Sequence, residues 1–249
     1  MGRSFCAIVL LLLGTSAWSD PLRLGFGSGK PPYVFDVSGK PDPASANGLE
    51  FDIVAAAAKA AGFDVDPYLA PQSRVVHMMQ NGQLDAIADT REEPGTPYFY
   101  SAPCVQYHDY AVALASRGLE INSIADLSRY SVVSFQTARS VLGPDFAAMA
   151  EKNSRYYEEP VAYLRNVMLY AGATDVLVGD KRIFEYANDL ASSRVDVNRR
   201  LHWYPIFPQT SDTRIAFIKA DQRDRFDKGL QAIRQSGLYA TIEKRYDAP

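Results

Sequence analysis

Apolar residues recur at helical spacing over Leu49–Ala61, where Leu49, Ile53, Val54, Ala57 and Ala61 share one face and Gly62 ends the run. This stripe predicts an amphipathic helix. Alternating or continuous apolar stretches at Leu22–Phe26, Phe63–Tyr68, Tyr107–Ala115, Ser131–Phe135, Tyr156-Tyr157, His202–Phe207 and Arg214–Lys219 predict strands. Further helices are expected from Pro71-Gln72-Ser73 onward, from Ser123 to Leu127, and over Gln136–Ala150 with a break at Gly143-Pro144. The remaining ones run from Pro160 to Ala171, over Arg223–Gln235 behind an Asp221 cap, and over Leu238–Tyr246.

Two stretches share one pattern: Asn81–Arg91, NGQLDAIADTR, and Ala171–Arg182, AGATDVLVGDKR. In each, a helix closes at a glycine (Gly82, Gly172), an aspartate follows (Asp85, Asp175), and a short apolar run leads to Thr90-Arg91 or Asp180-Lys181. Strand–helix–strand–helix precedes each stretch, over Leu22–Arg91 and over Ser131–Arg182, so two similar α/β lobes are expected. The charged pairs fall just after buried strands, where open α/β sheets place their ligand crevices. With the tail packed on the first lobe, the chain crosses between lobes near Tyr107–Ala111 and Tyr204–Phe207, a two-crossing hinge. The expected division is 20–107 plus 207–249 for lobe 1 and 108–206 for lobe 2.

Composition narrows the function classes. Arg3, the apolar run Phe5–Leu13 and the small-residue site Ala17-Trp18-Ser19 predict a signal peptide over residues 1–19, cleaved near Ser19, and hence a periplasmic chain. The run is shorter than the roughly 20 residues of a membrane-spanning helix. Cleavage removes Cys6 and leaves Cys104, expected to be a small buried hydrophobe with no partner for a disulfide. The 26 Lys and Arg against 29 Asp and Glu give a net charge of −3, and the bases are scattered, so no nucleic-acid partner is expected. His77, His108 and His202 lie at no metal-ligand spacing, and no serine stands in a GxSxG context. Gly25–Lys30 is not a phosphate loop, because Pro31-Pro32 follows the lysine. No catalytic residue, metal or cofactor is expected.

The candidate ligand residues sit on the two repeats. Arg91 offers a planar donor fork for a carboxylate, and Asp180 across the crevice complements an ammonium or a hydroxyl group. Phe135, Gln136 and Thr137, just after the first strand of the second lobe, offer an aromatic wall, an amide and a hydroxyl. Tyr33, Lys30 and Arg74 are further candidates on the first lobe.

Several short motifs occur in a characteristic order: Leu22–Phe26 with Pro31-Pro32-Tyr33, Gly48–Ile53, Arg74 through Gly82-x-x-Asp85, and Ser101-Ala102-Pro103. Ile124–Leu127, Gly172-x-x-Asp175-x-x-x-x-Asp180 and Gly237-Leu238-Tyr239 with Ile242 and Tyr246 follow. In this order they resemble the periplasmic solute-binding proteins of ABC transporters, in the polar amino-acid-binding family of the two-lobed type II class. The resemblance spans the mature chain. It implies two lobes closing on a small polar solute, delivery to a membrane ABC permease, and a monomer, with the aspartate matching Asp180 holding the solute's amino group. It also implies a carboxylate-binding arginine about twelve residues after the position of Asp85. Here that region reads Pro94-Gly95-Thr96-Pro97, and Arg91 stands six residues after Asp85 instead. The solute expected is therefore an amino acid or related carboxylate. Two other roles on the same fold stay open: a dehydratase-like enzyme using Glu50, Lys30 or His108 as acid or base, and a ligand-sensing accessory protein.

Overall fold

A computed structural model describes residues 21–35, 46–208 and 211–246. Residues 1–19, read as a signal peptide, lie outside the described residues. The first half of the chain contributes β1 (Leu22–Gly27), α1 (Leu49–Ala60), β2 (Val65–Ala70), α2 (Gln72–Gln80), β3 (Ala86–Thr90), β4 (Phe99–Tyr100) and β5 (Val105–Tyr107). After β6 (Asp109–Leu114) come β7 (Val132–Ser134), α3 (Ala138–Val141), α4 (Pro144–Lys152), β8 (Tyr156–Glu158) and α5 (Ala162–Tyr170). Then follow β9 (Val176–Asp180), α6 (Lys181–Ala191), β10 (Leu201–Tyr204), β11 (Ser211–Phe217), α7 (Ala220–Gln235) and α8 (Leu238–Arg245).

These strands form two mixed sheets. One has the order β2-β1-β3-β11-β4 with β5 also on β11, the other β10-β6-β9-β7-β8. The two centres are built alike. β1 lies parallel between β2 and β3 with β11 antiparallel beyond, and β7 lies parallel between β8 and β9 with β6 antiparallel beyond. Helices and buried apolar residues cover each sheet, with Phe26, Ile53, Phe217 and Phe226 in one core and Val132, Phe146, Val178 and Phe207 in the other. The fold is thus two α/β lobes, each built on its own mixed sheet.

The repeated motif has a structural cause in both lobes. Gly82 and Gly172 adopt φ of +70° and +77°, the left-handed conformation that ends α2 and α5. The aspartate that follows pins the start of the neighbouring strand. Asp85 accepts from the Arg23 backbone N–H at 3.0 Å and from its guanidinium at 2.8 and 2.9 Å. Asp175 accepts from the Ser131 backbone N–H and hydroxyl at 2.9 and 2.8 Å.

Close packing of α1 on α7 depends on Gly229, where an added Cβ would lie 2.1 Å from the Ala57 carbonyl. Cys104 is buried and free, and burial pushes its thiol pKa up. No helix among the described residues is long and apolar enough to cross a membrane.

Three expectations need adjusting. The single strand over Tyr107–Ala115 is two strands broken at His108, because β5 pairs with β11 in the first sheet and β6 with β9 and β10 in the second. The consecutive polar residues His108-Asp109 mark the break in the pattern, but which sheet each side joins depends on pairing with distant strands. Asp221 lies inside the first turn of α7, with Lys219 at the cap position; there it favours the helix through the dipole rather than through a cap bond. β10 ends at Tyr204, since Pro205 has no N–H to continue the ladder.

Candidate functional site

The Pro32-Tyr33 turn docks against the start of α1, where Leu49 N–H donates to the Pro32 carbonyl and Glu50 N–H to the Tyr33 carbonyl, both at 2.9 Å. Only a glycine fits at 48, because a Cβ there would fall 2.3 Å from the Tyr33 oxygen and φ is +131°. The turn holds Tyr33 fully buried, its ring stacked on Tyr107 at 4.1 Å between centroids. From there its hydroxyl crosses the seam between lobes and donates to Asp180 Oδ2 at 3.0 Å.

Asp180, the last residue of β9, is 5% exposed and accepts two further bonds. One comes from His108 N–H in the lobe crossing at 2.7 Å, the other from Ile183 N–H at 3.0 Å as the cap of α6. Burial raises its pKa, and these bonds together with the nearby Arg182 oppose the rise. Burial beside Asp180 drives the Tyr33 phenol pKa well up as well.

Asp109 is the direct cross-strand neighbour of Asp180 in the β6–β9 ladder. Residues so paired project from the same face of a sheet. Its carboxylate takes no hydrogen bond or ion pair among the described residues, and its charged neighbours are Asp180 and Arg91. Burial and then the Asp180 charge push its pKa up to about 7, with Arg91 pulling the other way. Arg91, half-buried after β3, donates to the Ser211 hydroxyl at 2.8 Å, and Ser211 in turn pairs with Tyr107 at the end of β5. Arg91, Asp109 and Asp180 therefore gather where the chain passes between lobes.

Beneath them, Lys30 binds Asp89, lies 3.2 Å from Glu50 Oε2 and 3.3 Å from the Tyr107 hydroxyl. Burial lowers the lysine pKa, but Asp89 and Glu50 more than restore it, and the net shift is upward. Glu50 is 1% exposed, its Oε1 has no partner, and burial drives its pKa up to about 7 against the pull of Lys30. Asp89 reaches the lysine from a left-handed backbone, φ +55°, rare for a residue other than glycine. The Lys30 charge is thus already neutralised within the first lobe.

The remaining candidates are distributed differently. Phe135 packs half-buried against the second-lobe core. Gln136 and Thr137 are exposed, and the Thr137 N–H donates to Glu158 Oε2 at 3.0 Å, while Arg139 N–H donates to Oε1 at 3.1 Å. The donors at the start of α3 are therefore occupied by the protein's own carboxylate. Burial raises the Glu158 pKa, yet the bonds from Tyr156, Arg139 and Thr137 hold it below its ordinary value. Arg74 is exposed in the first turn of α2, next to Gln72, whose amide donates to the Ala88 and Asp89 carbonyls at 3.1 and 3.3 Å. Among the described residues, no cluster of three or more His, Cys, Asp or Glu is arranged to hold a metal.

The sequence also matches the family described as bacterial extracellular solute-binding proteins, family 3, over residues 22–248. The chain belongs to that family. No curated protein matches the sequence. Solved structures share the fold at low identity. A histidine kinase sensor domain similar to periplasmic binding proteins superposes with a TM-score of 0.70 at 17% identity, covering 91% of this chain and 96% of that one. The arginine-, lysine-, histidine-binding protein ArtJ of Geobacillus stearothermophilus gives 0.64 at 17%, over 92% and 96%. The GluR0 ligand-binding core in complex with L-glutamate gives 0.70 at 13%, over 92% and 99%. As a family 3 solute-binding protein, the chain belongs with binding proteins in which two lobes enclose a small solute, and the seam holding Asp180 lies between such lobes.

Asp109, Asp89 and Tyr107 were not candidates on sequence grounds. Asp109 had a usable signal, a charged residue inside an otherwise apolar strand next to a lobe crossing. Asp89 and Tyr107 are brought to Lys30 by sheet pairing and had none.

Proposed function

We propose that this protein captures a small polar solute, an amino acid or related carboxylate, between its lobes and presents it to an ABC-type membrane permease. The observation that carries this reading is the buried Asp180, which caps α6 and accepts from Tyr33 and His108 at the lobe seam, with Arg91 and Asp109 beside it. Asp180 would receive a cationic or hydroxyl group, Arg91 an anionic one, and Tyr33 or Phe135 would pack on the solute body. Lobe 1 is then 20–107 plus 207–249 and lobe 2 is 108–206, with closure about the two crossings favoured by contacts made only in the closed state. The protein acts as a periplasmic monomer and a binder, not a catalyst: the acid–base candidates Glu50 and Lys30 are spent on one another below the seam.

A thermal-shift screen against amino acids, small carboxylates and amines tests the reading. A solute at a hundred times its dissociation constant should add roughly 2.7 kcal/mol of stability. Absence of any shift across the panel overturns it. The likeness to a histidine kinase sensor domain supports a second, sensory reading. Loss of solute uptake in a deletion strain supports the transport reading, and loss of a transcriptional response with uptake intact supports the sensory one.

A further inference from the structure

We propose that Asp109 is a second acidic residue of the solute site, sharing with Asp180 a cationic nitrogen of the solute. The inference rests on the reading of the lobe seam as the solute site and adds a residue and a chemical class to it. Two carboxylates face each other directly across the β6–β9 ladder, an arrangement in which like charges repel. Asp180 has three donors to satisfy it, whereas Asp109 has none among the described residues. Arg91, the cation whose charge acts on Asp109, spends an N–H group on Ser211. An ammonium, amidinium or guanidinium placed between the two acids would supply both the missing donors and the missing charge. Among the described residues no third His, Cys, Asp or Glu joins the pair to hold a metal, and the occupant proposed is an organic cation.

A pH dependence follows. Asp109 titrates at about 7 in the unliganded protein. Below that pH the cation must displace a proton, so affinity falls by up to tenfold per pH unit; above pH 8 it is flat. The groups facing Asp109 are Asp180 from β9 and Arg91 from the loop after β3, with Arg182 and Tyr33 around Asp180. Arginine stays charged throughout this range and the Tyr33 phenol titrates far above it. His108 precedes Asp109 in the crossing, so His108→Gln serves to separate its contribution.

Titration calorimetry of the mature chain at pH 6, 7 and 8 with L-arginine, L-lysine, L-glutamine, putrescine and succinate as probes tests the proposal. Expected are binding by at least one nitrogen cation, none by succinate, and an affinity that rises from pH 6 to 8. Asp109→Asn should weaken that binding by roughly ten- to a hundredfold at pH 8 and abolish the slope, and His108→Gln should keep the slope. With its like-charge neighbour removed, the unliganded Asp109→Asn protein should melt no lower than wild type at pH 8, which separates a binding defect from a folding one. Unchanged affinity and slope in Asp109→Asn, or tight binding of succinate, overturns the proposal and leaves the solute-binding reading intact. No binding by any probe, with no shift in the wider solute screen, overturns both.

Discussion

The phenol of Tyr33, on one lobe, donates a 3.0 Å hydrogen bond to the carboxylate of Asp180 on the other. This bond joins the lobes without a solute and occupies an acceptor of the residue proposed to receive one. Tyr33→Phe keeps the ring stacked on Tyr107 but removes the bond. The variant should lose about 1 kcal/mol of stability in urea unfolding. It should also show a larger radius of gyration in solute-free small-angle scattering; identical scattering curves would mean that the bond does not hold the lobes together.

Asp180 carries two separable duties, facing the seam and capping α6 through Ile183 N–H. Asparagine can cap but carries no charge. Asp180→Asn should therefore weaken solute binding roughly ten- to a hundredfold, and because its amide nitrogen must face the N–H of either Ile183 or His108 it should also cost about 1–3 kcal/mol of stability, while Asp180→Ala adds the loss of the cap, about 1 kcal/mol. Arg91→Ala should reduce binding of a carboxylate-bearing solute to a similar degree with a melting temperature close to wild type, since its side chain donates to a single serine hydroxyl among the described residues. Calorimetry alongside chemical denaturation separates the two effects.

Glu50 gives the stability a pH dependence of definite sign. Its pKa is about 7 in the folded protein, against about 4.3 in an unfolded chain. Between those values the folded state holds a proton that the unfolded state has released, so stability falls as pH rises through this window and levels off above it. Glu50→Gln removes the titration. Its unfolding free energy should fall less than that of wild type between pH 5 and 8, by about 2 kcal/mol. Parallel profiles for the two proteins would assign the slope to other groups.

Two glycines should respond to substitution for different reasons. Gly229→Ala drives a methyl into the α1 backbone and should cost about 1–3 kcal/mol. Gly237 has open space around it but a φ of +78°, so Gly237→Ala should cost about 1–2 kcal/mol through backbone strain. Asparagine, which tolerates the left-handed conformation, should recover part of the loss at 237 and none at 229. Urea unfolding of the four variants decides this.

What the chain discloses before folding is local. The stripe from Leu49 to Ala61, the helix-closing Gly82 and Gly172, and the order of the short motifs all express their outcome within a few residues, so two α/β lobes were legible. The site was legible only in part. Asp180 could be placed because it follows a short buried apolar run, at the carboxyl end of a strand. The role of Asp109 could not, since it depends on which residue of β9 lies opposite, and register is settled by pairing across 71 positions of chain (180 minus 109). Lys30 read as a ligand candidate for the same reason, because the Asp89 and Glu50 that neutralise it arrive from two separate elements. Tyr33 read as a wall for the solute, but sequence does not reveal that its hydroxyl reaches the opposite lobe.

The break at His108 has a consequence beyond strand counting. Tyr107 is still paired with Ser211 in one sheet, and Asp109 is already paired with Asp180 in the other. One residue therefore carries the chain across, with its neighbours on both sides anchored. Few backbone torsions are left at this crossing to absorb relative rotation, which places a stiff link between the lobes directly beside the proposed receptor groups. Under the proposed function, solute uptake should therefore appear as a change in distance between a pair of labels on the outer faces of the two lobes.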